Sequence, residues 1–398
     1  MKIAILYELL GRSRGGIEAW IYHACEELVS QGHEVTVFNT QVYKPTDALP
    51  KNAKEITLNP TRKIPGIYFL NHFYSLKKQL KDKLKKYDVV WARSFTMALA
   101  ASNISKKKVI YINAAPYSYY DGQVTFKEHL RIFPGFLGFL RILGIELSLK
   151  ISWVLERKAI NRCVNVYLSY ARRDQTLAFF KLKFDQAKFF VIPAGVNSKQ
   201  FFPTEVGWNG IDTLQLISVC RLSPDKNIQC VIYSVAKLVQ DRIPIRLTIV
   251  GEGHFEGELR KIVNDLEINE YINFVGRQEN IEKWYRQSHV FVLPSLYEGF
   301  GSVYIEAMAC GLPCIAISRK SGIFNVATDE IIDDGITGLL MKENNHLELA
   351  LLIKLLFENP QMLSSFSKEA RRKVINKFTW ENTINKLLLI EIQLNNHL

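Results

Sequence analysis

Cysteine is scarce in this chain: six in 398 residues, with no Cys-x-x-Cys pair among them. Even the closest two, Cys310 and Cys314, lack metal-ligand spacing. That scatter excludes a disulfide-stapled scaffold and a zinc knuckle, and the thiols read as small buried apolar groups in a reducing cytosol. Neither a His-Glu-x-x-His helix nor an EF-hand loop is present, which removes the commonest zinc-protease and calcium-binding readings. Asp-x-Asp is also missing. No uncharged apolar run reaches the roughly eighteen residues of a spanning helix. The opening strand-like run, Lys2 to Leu6, is too short for a secretory leader and carries no cleavage site, so none is expected. Sequence repeats and low-complexity tracts are absent as well.

What remains is an ordinary globular composition, 48% hydrophobic and 23% charged, long enough for two separate cores. The net charge of +12 is lopsided. Residues 1–200 hold 31 Lys and Arg against 15 Asp and Glu, a net +16, and the remainder is net −4. A basic half attracts a polyanion or an anionic membrane surface. Nucleic acid is the rival partner, but no zinc finger, helix-turn-helix or RNP motif supports it.

Strand and helix patterns alternate along the whole length, which implies parallel sheets in α/β layers. Strands are expected at 2–6, 34–38, 88–92, 108–112, 164–169 and 189–192. A second series is expected at 214–220, 246–250, 272–275, 289–293 and 313–317. Between the two series, residues 194–212 lack periodicity and read as an interdomain linker. The expected domains are 1–193 and 213–378.

The richest stretch runs from Pro294 to Gly311, Pro-Ser-Leu-Tyr-Glu-Gly-Phe-Gly-Ser-Val-Tyr-Ile-Glu-Ala-Met-Ala-Cys-Gly. It reads as a strand, a glycine loop, and a short helix with Ser302 as N-cap and Gly311 as stop. Glycines admit close backbone approach, and a helix N-terminus suits a phosphate. Glu298 and Glu306 frame that anion site. Carboxylates there need hydrogen-bond donors, and sugar hydroxyls are such donors. The local chemistry points to a phosphate-plus-sugar ligand.

The same stretch closely resembles the Glu-x7-Glu signature of family 4 retaining glycosyltransferases. Further motifs follow the resemblance. Cys220-Arg221-Leu222 with Lys226-Asn227 is similar to the family's diphosphate motif, in which glycines stand at the positions of Cys220 and Asn227. Two cations five residues apart in a strand-to-helix loop can converge on one diphosphate. Gly251-Glu252-Gly253 resembles a loop beside the nucleotide, and Gly276-Arg277-Gln278 the stretch lining the nucleobase pocket. Gly15-Gly16-Ile17-Glu18 matches the N-terminal glycine pair, and Pro193-Ala194-Gly195-Val196-Asn197 the hinge.

The resemblance implies the GT-B architecture, α/β with two Rossmann-like domains facing a cleft, the first for the acceptor and the second for the nucleotide sugar, the last helix (379–398) packing back on the first domain. It implies Arg221, Lys226 and Glu298 as catalytic residues. Gly15, Gly16, Arg277, Gly299, Phe300, Gly301 and Glu306 become donor-binding residues. Glu306 is expected on ribose hydroxyls and Glu298 on the donor sugar. Family members often carry a histidine after an N-domain strand, facing that sugar. The stretches 90–94 and 111–116 hold none, and Asn113 offers a hydrogen bond but no base near neutral pH. No cofactor or metal is expected, since Arg221, Lys226 and backbone N–H groups would take a cation's place.

Residues 76–87 put Leu76, Leu80, Leu84 and Tyr87 on one helical stripe among six lysines, the pattern of a helix lying on anionic lipid. Residues 133–155 read as a core helix pair or a lid for a lipid-linked acceptor. The expected function is therefore a retaining glycosyltransferase, peripheral on the cytoplasmic face of a membrane. It would take a nucleotide sugar and a lipid-linked or membrane-proximal glycan. The alternatives are a non-catalytic nucleotide-sugar-binding subunit or a sugar-nucleotide epimerase on the same fold.

Overall fold

The computed structural model describes residues 1–8, 16–40, 49–61, 67–105, 107–113, 136–186, 188–204, 212–320 and 322–396. It divides into two compact units, Met1–Pro193 with Ile384–Leu398, and Ala194–Thr383.

In the first unit β1 (Lys2–Leu6), α1 (Gly16–Ser30), β2 (Glu34–Asn39) and β3 (Lys54–Thr57) come first. They are followed by α2 (Tyr68–Leu80), β4 (Val89–Ala92), α3 (Phe95–Ile104) and β5 (Ile110–Asn113). The unit continues with α4 (Phe136–Arg162), β6 (Val164–Tyr167), α5 (Tyr170–Phe180) and β7 (Phe189–Val191). The strands form one sheet in the order β3-β2-β1-β4-β5-β6-β7, parallel throughout. Central strands are buried on both faces, as Val89-Val90-Trp91-Ala92 shows, so they read as continuous apolar runs. Helix α1 turns Trp20, Ile21, Ala24, Cys25 and Leu28 inward at helical spacing. Ser94 caps α3 and Ser169 caps α5 by accepting backbone N–H bonds from Met97 and Arg172.

The second unit repeats the scheme. Its elements begin with β8 (Leu214–Val219), α6 (Ile228–Gln240), β9 (Ile245–Val250), α7 (Glu256–Asp265), β10 (Ile272–Gly276) and α8 (Ile281–Arg286). Next come β11 (Val290–Leu293), α9 (Ser302–Ala309), β12 (Cys314–Ile317), α10 (Thr328–Ile331) and β13 (Gly338–Met341). Helices α11 (His346–Glu358), α12 (Pro360–Lys377) and α13 (Trp380–Asn396) close the chain. The sheet order is β10-β9-β8-β11-β12-β13. Helix α13 starts in the second unit and ends in the first, where Trp91 Nε1 donates to Glu391 at 3.3 Å.

Sequence reasoning missed β3 and β13. Both are four-residue edge strands; β3 is mostly exposed, and β13 starts on a glycine. Residues 194–204 open the second unit and pack on it: Val196 N donates to Phe378 O at 2.8 Å, and Phe201 packs on Tyr285.

The expectation for residues 76–87 needs correction. Helix α2 ends at Leu80, and a 3-10 turn covers Lys83–Lys86. Leu76, Leu80, Leu84 and Tyr87 are buried in the unit's hydrophobic core with Phe69 and Phe73. The stripe covers the sheet, so it is not free to enter lipid. Lys78, Lys81, Lys83, Lys85 and Lys86 remain exposed. The expected helix pair within 133–155 is, from Phe136 on, one 27-residue helix; residues 133–135 lie outside the described residues. Among the described residues no helix is long and apolar enough to cross a membrane.

Candidate active site

In the second unit the chain leaves β8 toward one side of the sheet and β11 toward the other. The crevice between their carboxyl ends is the topological switch point, where a parallel α/β sheet opens to a ligand. The loop after β8 carries Arg221 and Lys226, and the loop after β11 carries Glu298. Backbone and side chains lace the two loops together. Leu296 N donates to Asp225 O at 2.8 Å, and Lys226 Nζ to Tyr297 O at 3.2 Å.

Asn227 has φ +57, a left-handed conformation, which asparagine tolerates better than most residues. Its Nδ2 donates to Pro294 O at 3.1 Å and to Asn344 Oδ1 at 2.8 Å. Asparagine thus meets the backbone demand met by glycine in the resembled motif, and adds a tie between loops. On the other side, a Cβ at Gly251 would collide with the carbonyl oxygen of Cys220. The loops after β8 and β9 touch backbone to backbone there.

Lys226 Nζ lies 2.7 Å from Glu298 Oε2, with side chains 13% and 20% exposed. Burial pulls the Lys226 pKa down, but the charge and hydrogen bond of Glu298 outweigh it and hold the ammonium above its ordinary range. Arg221 is exposed, and no hydrogen bond or ion pair holds its guanidinium among the described residues. One cation is fixed and the other is free to swing.

Gly301 has φ +89, and a Cβ there would strike the Tyr304 ring. The Glu298 to Gly301 turn brings the chain into α9. Gly301, not Ser302, is the N-cap; Ser302 is the first helical residue and is exposed. The glycine supplies the left-handed entry that serine would adopt only with strain. At the other end Gly311 N and Leu312 N donate to Met308 O and Ala307 O at 3.0 Å, stopping the helix. Gly299 is half-buried in the turn. Phe300 is buried against Phe378, so its ring is core, and only its backbone is left for a ligand.

Glu306 is half-buried, and burial pushes its carboxyl up to about 7, offset in part by the Tyr285 hydroxyl, which donates to it at 3.2 Å. Tyr285 is fully buried and packed on Phe201 and Phe291. Sequence reasoning passed over it, because a tyrosine on a helix 21 residues upstream reads as core. Its only sequence signal is an aromatic on the buried face of a short helix that carries a hydroxyl needing a partner. Arg277 is exposed, 3.6 Å from Glu252, and lines a cavity of about 500 Å³ with Gln278, Lys283 and Trp284.

Gly16 belongs to the first unit, where it opens α1 with open space where a side chain would be. Gly15 lies outside the described residues. Asn113, at the end of β5, is fully buried. Among the described residues no three His, Cys, Asp or Glu side chains group as metal ligands.

The family model described as Glycosyltransferase Family 4 matches residues 14–200, and the one described as Glycosyl transferases group 1 matches 209–373. An uncharacterized glycosyltransferase of Methanocaldococcus jannaschii is 24% identical over 96% of this chain and 95% of its own length. A GDP-mannose-dependent monoacylated alpha-(1-6)-phosphatidylinositol monomannoside mannosyltransferase of Corynebacterium glutamicum is 28% identical over 75% of this chain and 82% of its own. Among solved structures, sucrose-phosphate synthase from Thermosynechococcus elongatus superposes with a TM-score of 0.75 at 19% identity, covering 100% of both chains.

Proposed function

Because this chain belongs to the family 4 glycosyltransferases and has their GT-B fold, we propose that it transfers a sugar with retention of configuration to a lipid-linked or membrane-proximal glycan hydroxyl. The observation that carries the reading is the Lys226–Glu298 pair at the switch point of the second unit, beside the N-terminus of α9.

The donor's diphosphate leaves as an anion. Lys226, Arg221 and the N–H groups of residues 299–302 meet the charge as it develops, which lowers the barrier. Glu298 releases Lys226 to the diphosphate and accepts hydroxyls of the transferred sugar. Glu306 accepts the ribose hydroxyls. Arg277 and Trp284 border the nucleobase. The acceptor attacks on the face from which the diphosphate departs, and a departing phosphate oxygen takes its proton. Lys226 and Arg221 fill the role a divalent ion would have on the diphosphate, so turnover needs no metal.

The exposed lysines on and after α2 support peripheral attachment to the cytoplasmic face of a membrane. Each contributes up to ~1 kcal/mol near an anionic leaflet. The Corynebacterium relative's acceptor, as its name states, is a phosphatidylinositol mannoside, which suits a membrane-borne acceptor here.

The test is a panel of sugar nucleotides scored by thermal shift on purified protein, followed by hydrolysis of the best binder. A donor that both stabilises and is turned over supports the reading. Stabilisation by none of the panel would sink it.

A further inference from the structure

The first unit has its own switch point, between β1 and β4, from which the chain turns to opposite sides of the sheet. Its sheet order is that of a dinucleotide-binding sheet, which takes ligands at the carboxyl ends of those strands. Arg93 follows β4 directly, and its backbone N–H donates to Leu6 O at the end of β1, at 2.8 Å. The side chain is only 5% exposed.

A buried guanidinium is normally paired with a carboxylate. Arg93 has no carboxylate partner among the described residues. Its Nη1 donates to the Ile112 carbonyl at 3.2 Å, its plane lies over the Trp20 ring at 4.6 Å, and Nε has no acceptor. The acids that follow β1 and open α1 make their hydrogen bonds elsewhere. Glu18 accepts from the Tyr7 hydroxyl. Glu8 is bound by His72 and Thr96. Burial pulls Arg93 down to about 10, with Tyr111, Tyr7 and Glu18 opposing, so the cation persists at neutral pH.

One residue beyond Ile112 sits a second anomaly. Asn113 is fully buried, and neither Oδ1 nor Nδ2 has a partner among the described residues. Leaving a buried donor or acceptor unmet costs about 1–3 kcal/mol each. A cation that makes no ion pair and an amide without partners, at the ends of the neighbouring strands β4 and β5, are the complement of one ligand. That ligand carries an oxyanion for Arg93 and a hydroxyl for Asn113, because a hydroxyl both donates and accepts.

We propose that Arg93 and Asn113 form the acceptor subsite, and that the acceptor bears a phosphate or carboxylate beside a hydroxyl. Calling the ligand an acceptor rests on the transferase reading above. The anion site itself stands on the first unit alone.

The test uses the full chain and three soluble probes: sn-glycerol 3-phosphate, glycerate and uncharged glycerol. Thermal shift is read in wild type, Arg93→Gln, Arg93→Lys, Asn113→Asp and Lys226→Ala. The last variant weakens anion binding at the diphosphate clamp. A saturable rise with a charged probe is expected in wild type and Lys226→Ala, and none with glycerol. Arg93→Gln should weaken it roughly tenfold or more, the worth of one charge-assisted contact, and Arg93→Lys should retain part of it. Asn113→Asp, which places a negative charge one residue beyond the carbonyl that Arg93 binds, should abolish it even where Arg93→Gln fails to fold. Parallel flotation on phosphatidylcholine vesicles doped with phosphatidic acid separates the two sources of the oxyanion. Dependence on Arg93 there, without a soluble-probe shift, assigns the group to a lipid. The proposal is overturned if no charged probe acts in wild type and flotation ignores Arg93, or if Arg93→Gln responds like wild type. Failure of sugar-nucleotide binding would leave this result standing and would strike only the transferase reading.

Discussion

Lys226 Nζ and Glu298 Oε2, 72 residues apart in sequence, meet at 2.7 Å and tie the loop after β8 to the loop after β11. A part-buried pair of this kind turns costly when one partner goes, by up to roughly 3–5 kcal/mol were burial complete, because the other charge is stranded. Lys226→Ala should therefore lower both turnover and melting temperature. Arg221→Ala, at an exposed and unpaired side chain, should lower turnover by roughly 10²-fold or more with the melting temperature unchanged. Steady-state kinetics beside calorimetry reads the contrast, and near wild-type turnover in both variants would remove the diphosphate assignment.

The two acids should separate by ligand. Glu306→Gln should weaken free nucleoside diphosphate, and Glu298→Gln should spare it while impairing the sugar nucleotide. Glu306 also sets a pH dependence. Burial has raised its carboxyl to about 7, and only the ionised form accepts two ribose hydroxyls. Affinity for the free nucleoside diphosphate should fall as pH drops through about 7, and that slope should vanish in Glu306→Gln. Titration calorimetry across that range decides it; an unchanged slope in the variant contradicts the assignment.

Chelation should leave turnover intact, because Lys226, Arg221 and the N-terminus of α9 already bring positive charge to the phosphates. Complete loss in EDTA, restored by Mg²⁺ or Mn²⁺, would overturn this expectation.

Docking of the last helix should depend on pH. Glu391 is 4% exposed beneath Trp91, and burial raises its carboxyl to about 7, with the Trp91 hydrogen bond and Lys107 opposing. A carboxyl raised on folding favours the fold in its protonated form. Its contribution is fully present below the unfolded value near 4.5 and is lost as pH rises through about 7. Hydrogen exchange should show the end of α13 opening more at alkaline pH than at weakly acidic pH. Glu391→Gln should flatten the difference, and equal protection at both pH values in wild type would refute the coupling.

Membrane attachment should be electrostatic. Reversing Lys78, Lys81, Lys83 and Lys85 to Glu should release the protein from anionic vesicles while sparing donor hydrolysis, since all four are surface side chains. Binding should also weaken with salt, because screening shortens the reach of surface charge. Wild-type protein that ignores anionic vesicles in a low-salt flotation assay would favour a soluble acceptor.

By itself the sequence determined the layered α/β class, the central strands and the chemistry of the Glu298–Glu306 stretch. Those signals are local. Apolar runs of strand length set the sheets, and glycines and charges at fixed short spacing set the loops. The tertiary structure decided what depends on which face is covered and on contacts distant in the chain. Leu76, Leu80, Leu84 and Tyr87 form the same stripe whether lipid or a sheet covers it, and only packing put them in a core. Edge strand β3 carries too little burial to announce itself, and β13 is short and opens on a glycine. Tyr285 beside Glu306, and Trp91 beside Glu391, join residues 21 and 300 positions apart. Nothing in composition distinguishes Arg93 from any other arginine. Its lack of an ion pair goes with Glu8 and Glu18 being hydrogen-bonded elsewhere, and that is a property of the folded arrangement alone.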